Sequence, residues 1–198
     1  MRSSSLILSV AAFALLATSQ GAHAAMVWNE TLDGDLSNDG ATPTSLTLNV
    51  GNNQIIGNTG NVGGLGVDLD YFTFTLAPGQ ALTSITLLGN TIVSGMFSFI
   101  GVQAGPQVTV APSGAGGQAL LGWAHYGVPD IGSDLLASQI SPGSALTAGT
   151  YSVWVQDTGG PATYGFDFTT VQQVPLPPSL LLLASTLAGF GFRRRAAG

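Results

Sequence analysis

The sequence predicts an all-β domain, an antiparallel β-sandwich or jelly roll, with a short apolar segment at each end of the chain. Three observations lead to this fold class. Apolar and polar residues alternate with a period of two in several short stretches, which is typical of strands with one buried face. Turn signals such as Pro78-Gly79 and Gly159-Gly160-Pro161 separate these stretches. The central region keeps no helical period, so we expect many short strands around one core.

The strands can be placed from this alternation. They are 46–50, 71–76, 82–88, 97–102, 151–156 and 164–168. In the fifth of these, Tyr151, Val153 and Val155 share one face and Trp154 lies on the other. In a two-sheet sandwich that second face should meet solvent unless a loop covers it. The glycine-rich stretch 111–117 is predicted to be such a loop.

Residues 1–24 have the pattern of a secretory signal peptide. Arg2 begins a basic region, residues 6–17 form an apolar region, and Ala22-His23-Ala24 is a small-x-small cleavage site. The sequence therefore predicts export, with signal peptidase cutting after Ala24. An N-terminal apolar helix that remains as an anchor is the alternative.

Residues 174–198 join a proline-rich hinge, a short apolar helix and a basic cluster. The hinge and the cluster are Val174, Pro175, Leu176, Pro177 and Arg193, Arg194, Arg195. The apolar run 180–192 has 13 residues, whereas a stable membrane span takes about 20. It is therefore expected to insert only transiently, with the arginines held on the cytoplasmic side.

This tail resembles the PEP-CTERM sorting signal, in its VPLPA variant. The resemblance covers the last 25 residues, and Pro178 stands where the variant has Ala. It implies processing by an exosortase, a membrane-embedded cysteine transpeptidase of Gram-negative bacteria that make exopolysaccharide. It describes transport, not what the transported domain does.

The domain between these ends, 25–173, has a one-sided charge. No Lys or Arg occurs between Arg2 and Arg193, whereas all ten acidic residues lie there, so its formal charge is near −10. Such a surface repels phosphates, which excludes nucleic acid and anionic lipid as partners. Cysteine is absent, so stability comes from the core or from a bound metal.

Acidic residues cluster at two places and form a candidate calcium site. The candidate ligands are Glu30, Asp33, Asp35, Asn38, Asp39, Asp68 and Asp70. Calcium takes six to eight oxygen ligands, and closely spaced carboxylates on a glycine-bearing loop can supply them. The alternative is that these residues are solvated turn and cap residues. The spacing does not fit an EF-hand loop.

The same segments resemble the bacterial pre-peptidase C-terminal domain, a small β-sandwich of secreted and surface proteins. The similar stretches are 34–39, 53–57, 68–74, 77–79 and 146–151. By this resemblance Asn38 and Asp39 match an Asn-Asp motif, and Asp68 and Asp70 match an Asp-x-Asp motif. Leu36 and Ser37 stand where the family usually has Glu. Some members of that family bind calcium near the N-terminal linker, and some bind collagen or other polymers, so the resemblance implies both as candidate properties here.

Catalytic groups are scarce in the central domain, which has one His, one Glu and no Cys or Lys. Cys-His and Ser-Lys pairs are therefore impossible. A triad of His125, Asp130 and Ser133 can be drawn, but no Gly-x-Ser-x-Gly elbow accompanies it. The sequence predicts a protein that is not an enzyme.

Three aromatic residues form a second candidate site. Trp123, Tyr126 and Trp154 could make a flat platform on which sugar rings stack. The alternative is a tryptophan packed under the glycine-rich loop.

Together these features predict an exported, non-enzymatic protein of the cell envelope or extracellular matrix of a Gram-negative bacterium, with a structural or adhesive role linked to exopolysaccharide and biofilm. Exosortase and signal peptidase are its expected processing partners, and extracellular polysaccharide a further candidate partner. A calcium-dependent carbohydrate-binding module and an accessory domain of a separately encoded hydrolase remain as alternatives.

Overall fold

The computed structural model describes residues 24–61, 67–91, 98–110, 119–157 and 161–173. The strands in these ranges are β1 Ala25–Asn29, β2 Thr44–Ser45, β3 Gly51–Asn61, β4 Val67–Leu76, β5 Gln80–Asn90, β6 Ser98–Ala104, β7 Gly122–Tyr126, β8 Gly149–Gln156 and β9 Ala162–Gln172. Helical structure is limited there to α1 Glu30–Asp33, a 3₁₀ turn Val128–Asp130 and a π-helical turn Leu136–Ile140. The all-β prediction is confirmed.

The predicted processing sites fall almost entirely outside the described residues. Ala24 is described and directly precedes β1. Ala22, the proline-rich hinge and the arginine cluster lie outside these ranges. Within the described part of the chain, no helix has the length and hydropathy needed to cross a membrane.

Seven strands form a continuous antiparallel path in the order β5-β9-β3-β4-β8-β6-β7. The ends of β3 and β4 join the two halves of this path, where Gly60 pairs with Asp68. The sheet curls around the core, because rings from strands that are not ladder neighbours meet: Phe72 of β4 and Phe168 of β9 lie 5.7 Å apart between ring centroids. Residues from all seven strands of this path thus contribute to one apolar core.

Two short strands depart from the antiparallel prediction. β1 pairs in parallel with β3, and β2 pairs in parallel with β4. Parallel neighbours need a crossover of a dozen or more residues. The chain between the paired strands supplies it in both cases, since residues 30–50 separate β1 from β3 and residues 46–66 separate β2 from β4.

The strand predictions succeed for most of the apolar stretches and fail for one of them. The predicted strands at 71–76, 82–88, 151–156 and 164–168 lie within β4, β5, β8 and β9. The prediction for 46–50 is wrong: Leu46 and Leu48 are buried, but the stretch lies in a loop after β2. No strand was predicted over 51–61, where β3 is rich in Gly and Asn.

A smaller apolar cluster lies on the other side of β4 and β8. Tyr71 and Trp154 stack with ring centroids 6.1 Å apart, and Val108 and Val110 cover them. The covering chain is held down by the amide of Val108, which donates to the carbonyl of Gly40 at 2.8 Å. Trp154 faces away from the main core as expected, and a loop buries it.

Candidate metal centre

Helix α1 places the Glu30 carboxylate next to the sheet. Asn29 caps the helix by accepting a hydrogen bond from the Thr31 amide at 3.1 Å. The turn ends at Gly34, whose φ of 93° is a left-handed conformation that glycine adopts without strain. The chain then doubles back, so the Leu36 amide donates to Oε1 of Glu30 at 3.0 Å.

The other oxygen of Glu30 attaches this segment to β3. Its Oε2 accepts a hydrogen bond from the backbone amide of Asn58 at 2.6 Å. One carboxylate therefore links the N-terminal segment to β3.

Asp70 is placed by strand alternation. It has the same orientation in β4 as Phe72 and Phe74, whose side chains fill the core, and it is fully buried. Its Oδ2 accepts a hydrogen bond from the hydroxyl of Tyr164 at 2.7 Å. Its Oδ1 is buried and has no hydrogen-bond partner among the described residues. A buried acceptor without a partner is unfavourable and calls for an explanation.

Glu30, Asp35 and Asp70 converge to form what we call the acidic triad. Each contributes one carboxylate oxygen, and these oxygens all lie within 4.8 Å of one another. Asp70 is buried, Glu30 is half-buried and Asp35 is exposed, so the triad runs from the core to the surface. Asn38 supports it by donating from Nδ2 to Asp35 at 3.3 Å.

The pKa values of Asp70, Glu30 and the nearby Asp68 are raised mainly by burial, and neighbouring negative charges add to the rise. Burial raises the pKa of the Asp70 carboxyl to about 9, and the nearby Glu30 charge adds to the rise while the Tyr164 hydrogen bond opposes it. Burial also raises the pKa of Glu30, against the effect of the two amides that bind it. The pKa of Asp68 is raised by partial burial and by the charge of Asp35.

The chemistry of this donor set fits a divalent cation that prefers oxygen. Calcium binds carboxylates in one- or two-oxygen mode together with carbonyls and water. Oδ1 of Asp70 is free to serve as a ligand, and exposed Asp35 leaves a path from solvent. A cation would replace mutual repulsion with attraction and supply the partner that Oδ1 lacks.

The other predicted ligands lie around the triad and have their own structural roles. Asp33 accepts from the Asn29 amide at 2.8 Å, which closes the first turn of α1. Asp39 caps the following turn, since its two oxygens accept from the Ala41 amide and the Thr42 hydroxyl. Asn38 accepts from the Leu69 amide at 2.7 Å and so joins this turn to β4. These residues shape the site from outside the triad.

The predicted aromatic platform is wrong for two of its three members. Tyr126 is fully buried and packs edge-to-face on Phe166, with centroids 5.1 Å apart. Trp154 is 4% exposed, because the chain at Val108 and Val110 covers it. Trp123, by contrast, is 47% exposed. The alternation rule gave Trp154 the correct face but could not predict its cover.

The structure adds residues that the sequence did not indicate. Tyr164 supplies the hydroxyl that binds Asp70, across 94 positions of sequence. Gly57 makes room for that tyrosine, because a Cβ there would collide with the ring and hydroxyl of Tyr164. Alternation places Tyr164 on the inner face of β9, but no local pattern shows which carboxylate it meets.

Comparison with protein-family models, with curated proteins and with solved structures gives no match.

Proposed function

We propose that this chain is an exported, non-enzymatic protein whose β-sandwich domain is stabilised by a calcium ion at the acidic triad. Its role is structural or adhesive, in the cell envelope or exopolysaccharide matrix of a Gram-negative bacterium. The sandwich is proposed from the curled sheet, whose two halves share one apolar core. Export and sorting are proposed from the patterns of the two chain ends.

The observation that carries the calcium proposal is the state of Asp70. Its side chain is fully buried, one oxygen has no hydrogen-bond partner among the described residues, and burial together with the charge of Glu30 raises its pKa to about 9. Elsewhere a buried acid can pair with Lys or Arg, but residues 3–192 contain neither. At neutral pH the carboxyl keeps its proton, because its pKa is raised to about 9. A cation from solvent is the proposed alternative that would stabilise its ionised form.

A calcium ion here would link two separate parts of the domain. Glu30 and Asp35 belong to the segment that follows β1, whereas Asp70 belongs to β4. Binding all three would fasten the start of the domain to the middle of the sheet. This is a stabilising role, which suits a protein without disulfides that works outside the cell.

Thermal melting tests this proposal. We expect calcium to raise the melting temperature of the purified protein relative to EDTA, and magnesium to raise it less because magnesium demands a stricter octahedral shell. At 100 times the dissociation constant, a ligand of the folded state adds about 2.7 kcal/mol. Asp70→Asn should remove the calcium response. Asp39→Asn, which removes the same charge from a turn cap, should keep it.

An equal calcium response in both variants would show non-specific screening and refute calcium binding at the acidic triad. Export and sorting need a separate measurement, namely mass spectrometry of the protein recovered from its native host. We expect a mature N-terminus at Ala25 or Met26 and loss of the tail near 174–178. Recovery of the mature protein with an intact tail would contradict exosortase processing.

A further inference from the structure

The outer face of β7 carries an exposed aromatic side chain at the end of the sheet. Trp123 and His125 alternate with buried Ala124 and Tyr126, so both point outward. Side chains two positions apart on a strand are about 6.6 Å apart, which is close enough to contact one ligand. Leu121, just before the strand, is also exposed.

Neighbouring rings hold Trp123 in place. Its indole stacks on Phe99 of β6 with centroids 6.0 Å apart and planes 24° apart. His125 meets the same indole edge-on at 5.2 Å. Phe99 in turn packs on buried Trp154 at 4.6 Å. The indole is therefore half-exposed and supported from behind, so a ligand that stacks on it finds the ring already ordered.

We propose that Trp123, with Phe99 and His125 beside it, binds a neutral polysaccharide by stacking a sugar ring on the indole. The rings Trp123, Phe99 and His125 define the aromatic surface. A pyranose with equatorial hydroxyls presents an apolar C–H face to an indole and leaves its hydroxyls in water, and the polar edges of Trp and His suit such a neighbour.

Two observations favour a neutral polysaccharide as the ligand of this surface. An aromatic side chain offers about 150–250 Å² in total, and Trp123 is 47% exposed, so it presents roughly 100 Å². A stable dimer buries about 800 Å² on each partner, so the aromatic surface matches one sugar ring better than a second copy of this chain.

Charge gives the second argument. β6, β7 and β8 contain no Asp, Glu, Lys or Arg, whereas the domain as a whole is acidic without any Lys or Arg. An acidic polymer would meet a negatively charged domain that offers no Lys or Arg to hold its carboxylates. The polymer is therefore expected to be neutral.

This inference rests on a surface remote in sequence from the acidic triad, but it names a partner for the proposed matrix role. The test is affinity electrophoresis of the purified protein in gels that contain hydroxyethylcellulose, galactomannan or dextran. Carboxymethylcellulose, an acidic polymer with the same backbone as the first, is the matched control. We expect at least one neutral polymer to slow migration at least twofold, and the acidic one to leave it unchanged.

Trp123→Ala should abolish the retardation while the melting temperature stays within a few degrees. Trp123→Phe should weaken it, which keeps the test informative if the alanine variant is unstable. Leu32→Ala, which truncates a 78% exposed side chain of α1, should migrate like the parent protein. Runs in calcium and in EDTA should agree, because no residue of the triad belongs to the aromatic surface.

Absence of retardation by all three neutral polymers would overturn the inference, as would retardation that survives in Trp123→Ala. If size-exclusion chromatography shows the parent protein as a dimer and Trp123→Ala as a monomer, the surface serves self-association and the inference is overturned. These outcomes are independent of the calcium-dependent melt, so the two proposals can fail separately.

Discussion

Replacing Asp70 by Asn should make the calcium-free protein more stable at neutral pH. Asn has nearly the same shape, and its carbonyl oxygen can still accept the hydrogen bond of Tyr164. With its raised pKa, folded Asp70 holds a proton at neutral pH, whereas Asn is neutral at every pH and its amide can donate towards Glu30 and Asp35. The variant thus removes the cost of keeping this carboxyl protonated and, in the same step, a proposed calcium ligand.

The magnitude follows from the pKa of Asp70, which is raised from 3.8 to about 9 in the folded protein. The folded state therefore holds its proton at pH values where the unfolded chain has lost it. Unfolding becomes easier as the pH rises from about 4 towards 9. From pH 4 to pH 7 the interval is about three units at 1.36 kcal/mol each, or about 4 kcal/mol. That is a large share of the 5–15 kcal/mol typical of a domain.

Urea unfolding in EDTA at pH 4, 5.5 and 7 measures this effect. The parent protein should lose stability across the series, and Asp70→Asn should lose about 4 kcal/mol less. A smaller decline should remain, because the pKa values of Glu30 and Asp68 are also raised. Asp39→Asn should follow the parent curve. Parallel curves for the parent and Asp70→Asn would refute a buried carboxyl with a strongly raised pKa.

Three further substitutions test the packing around the two sites. Gly57→Ala should cost about 1–3 kcal/mol, because the new methyl group would push the Tyr164 ring away from the triad. Gly122→Ala should cost about 3 kcal/mol, since its Cβ would collide with the carbonyl of Ile140, a backbone group that cannot rotate away. Trp154→Ala should cost about 3–5 kcal/mol, because it leaves a cavity beneath the covering loop. Urea unfolding measures all three.

Two variants that should lose less stability serve as controls for these measurements. Gly89→Ala places its methyl group in open space and should change stability by less than about 0.5 kcal/mol. If Gly122→Ala is equally mild, β7 does not approach the π-helical turn as closely as described. Trp123→Ala should cost clearly less than Trp154→Ala, because Trp123 is half-exposed. Equal losses would contradict the different burial of the two tryptophans.

The sequence predicted β4, β5, β8 and β9 from apolar residues that recur locally. It missed β3, whose polar residues are held by partners far away in the sequence. β3 has four Asn and three Gly in eleven residues, a composition that predicts turns. Asn53 nevertheless lies fully buried in it, because its Nδ2 donates to the carbonyls of Asn49, Gly51 and Phe168. The last of these is 115 positions away, and no local pattern contains that contact.

The candidate metal site was also predicted only in part: its acidic residues stand out in the sequence, but their convergence does not. The acidic run from Glu30 to Asp39 and the pair Asp68 and Asp70 stand out in the sequence by charge alone. Alternation in β4 could also have shown that Asp70 faces the core with Phe72. Which acids converge depends on how α1 folds back onto the sheet through the carboxylate of Glu30, and that contact with Asn58 is set by the tertiary fold.

A comparison with Asp167 shows why burial of an acid in this domain does not by itself call for a cation. Asp167 is almost buried, yet its oxygens accept from the Asn52 side chain at 2.6 Å and from the Asn53 amide at 2.8 Å. Neutral donors therefore satisfy it without any Lys or Arg. Asp70 has the Tyr164 hydroxyl on one oxygen and, within the described part of the chain, no partner on the other, and two carboxylates lie near it.

Extracellular calcium modules bind with dissociation constants of about 10⁻⁴–10⁻³ M, so a site of that affinity would fill only where calcium is abundant. If the chain is exported as proposed, calcium would bind after export, when the domain has folded and Glu30, Asp35 and Asp70 lie together in the presence of the ion. The unsatisfied acid would then serve the domain as a stabilising element that takes effect at its destination.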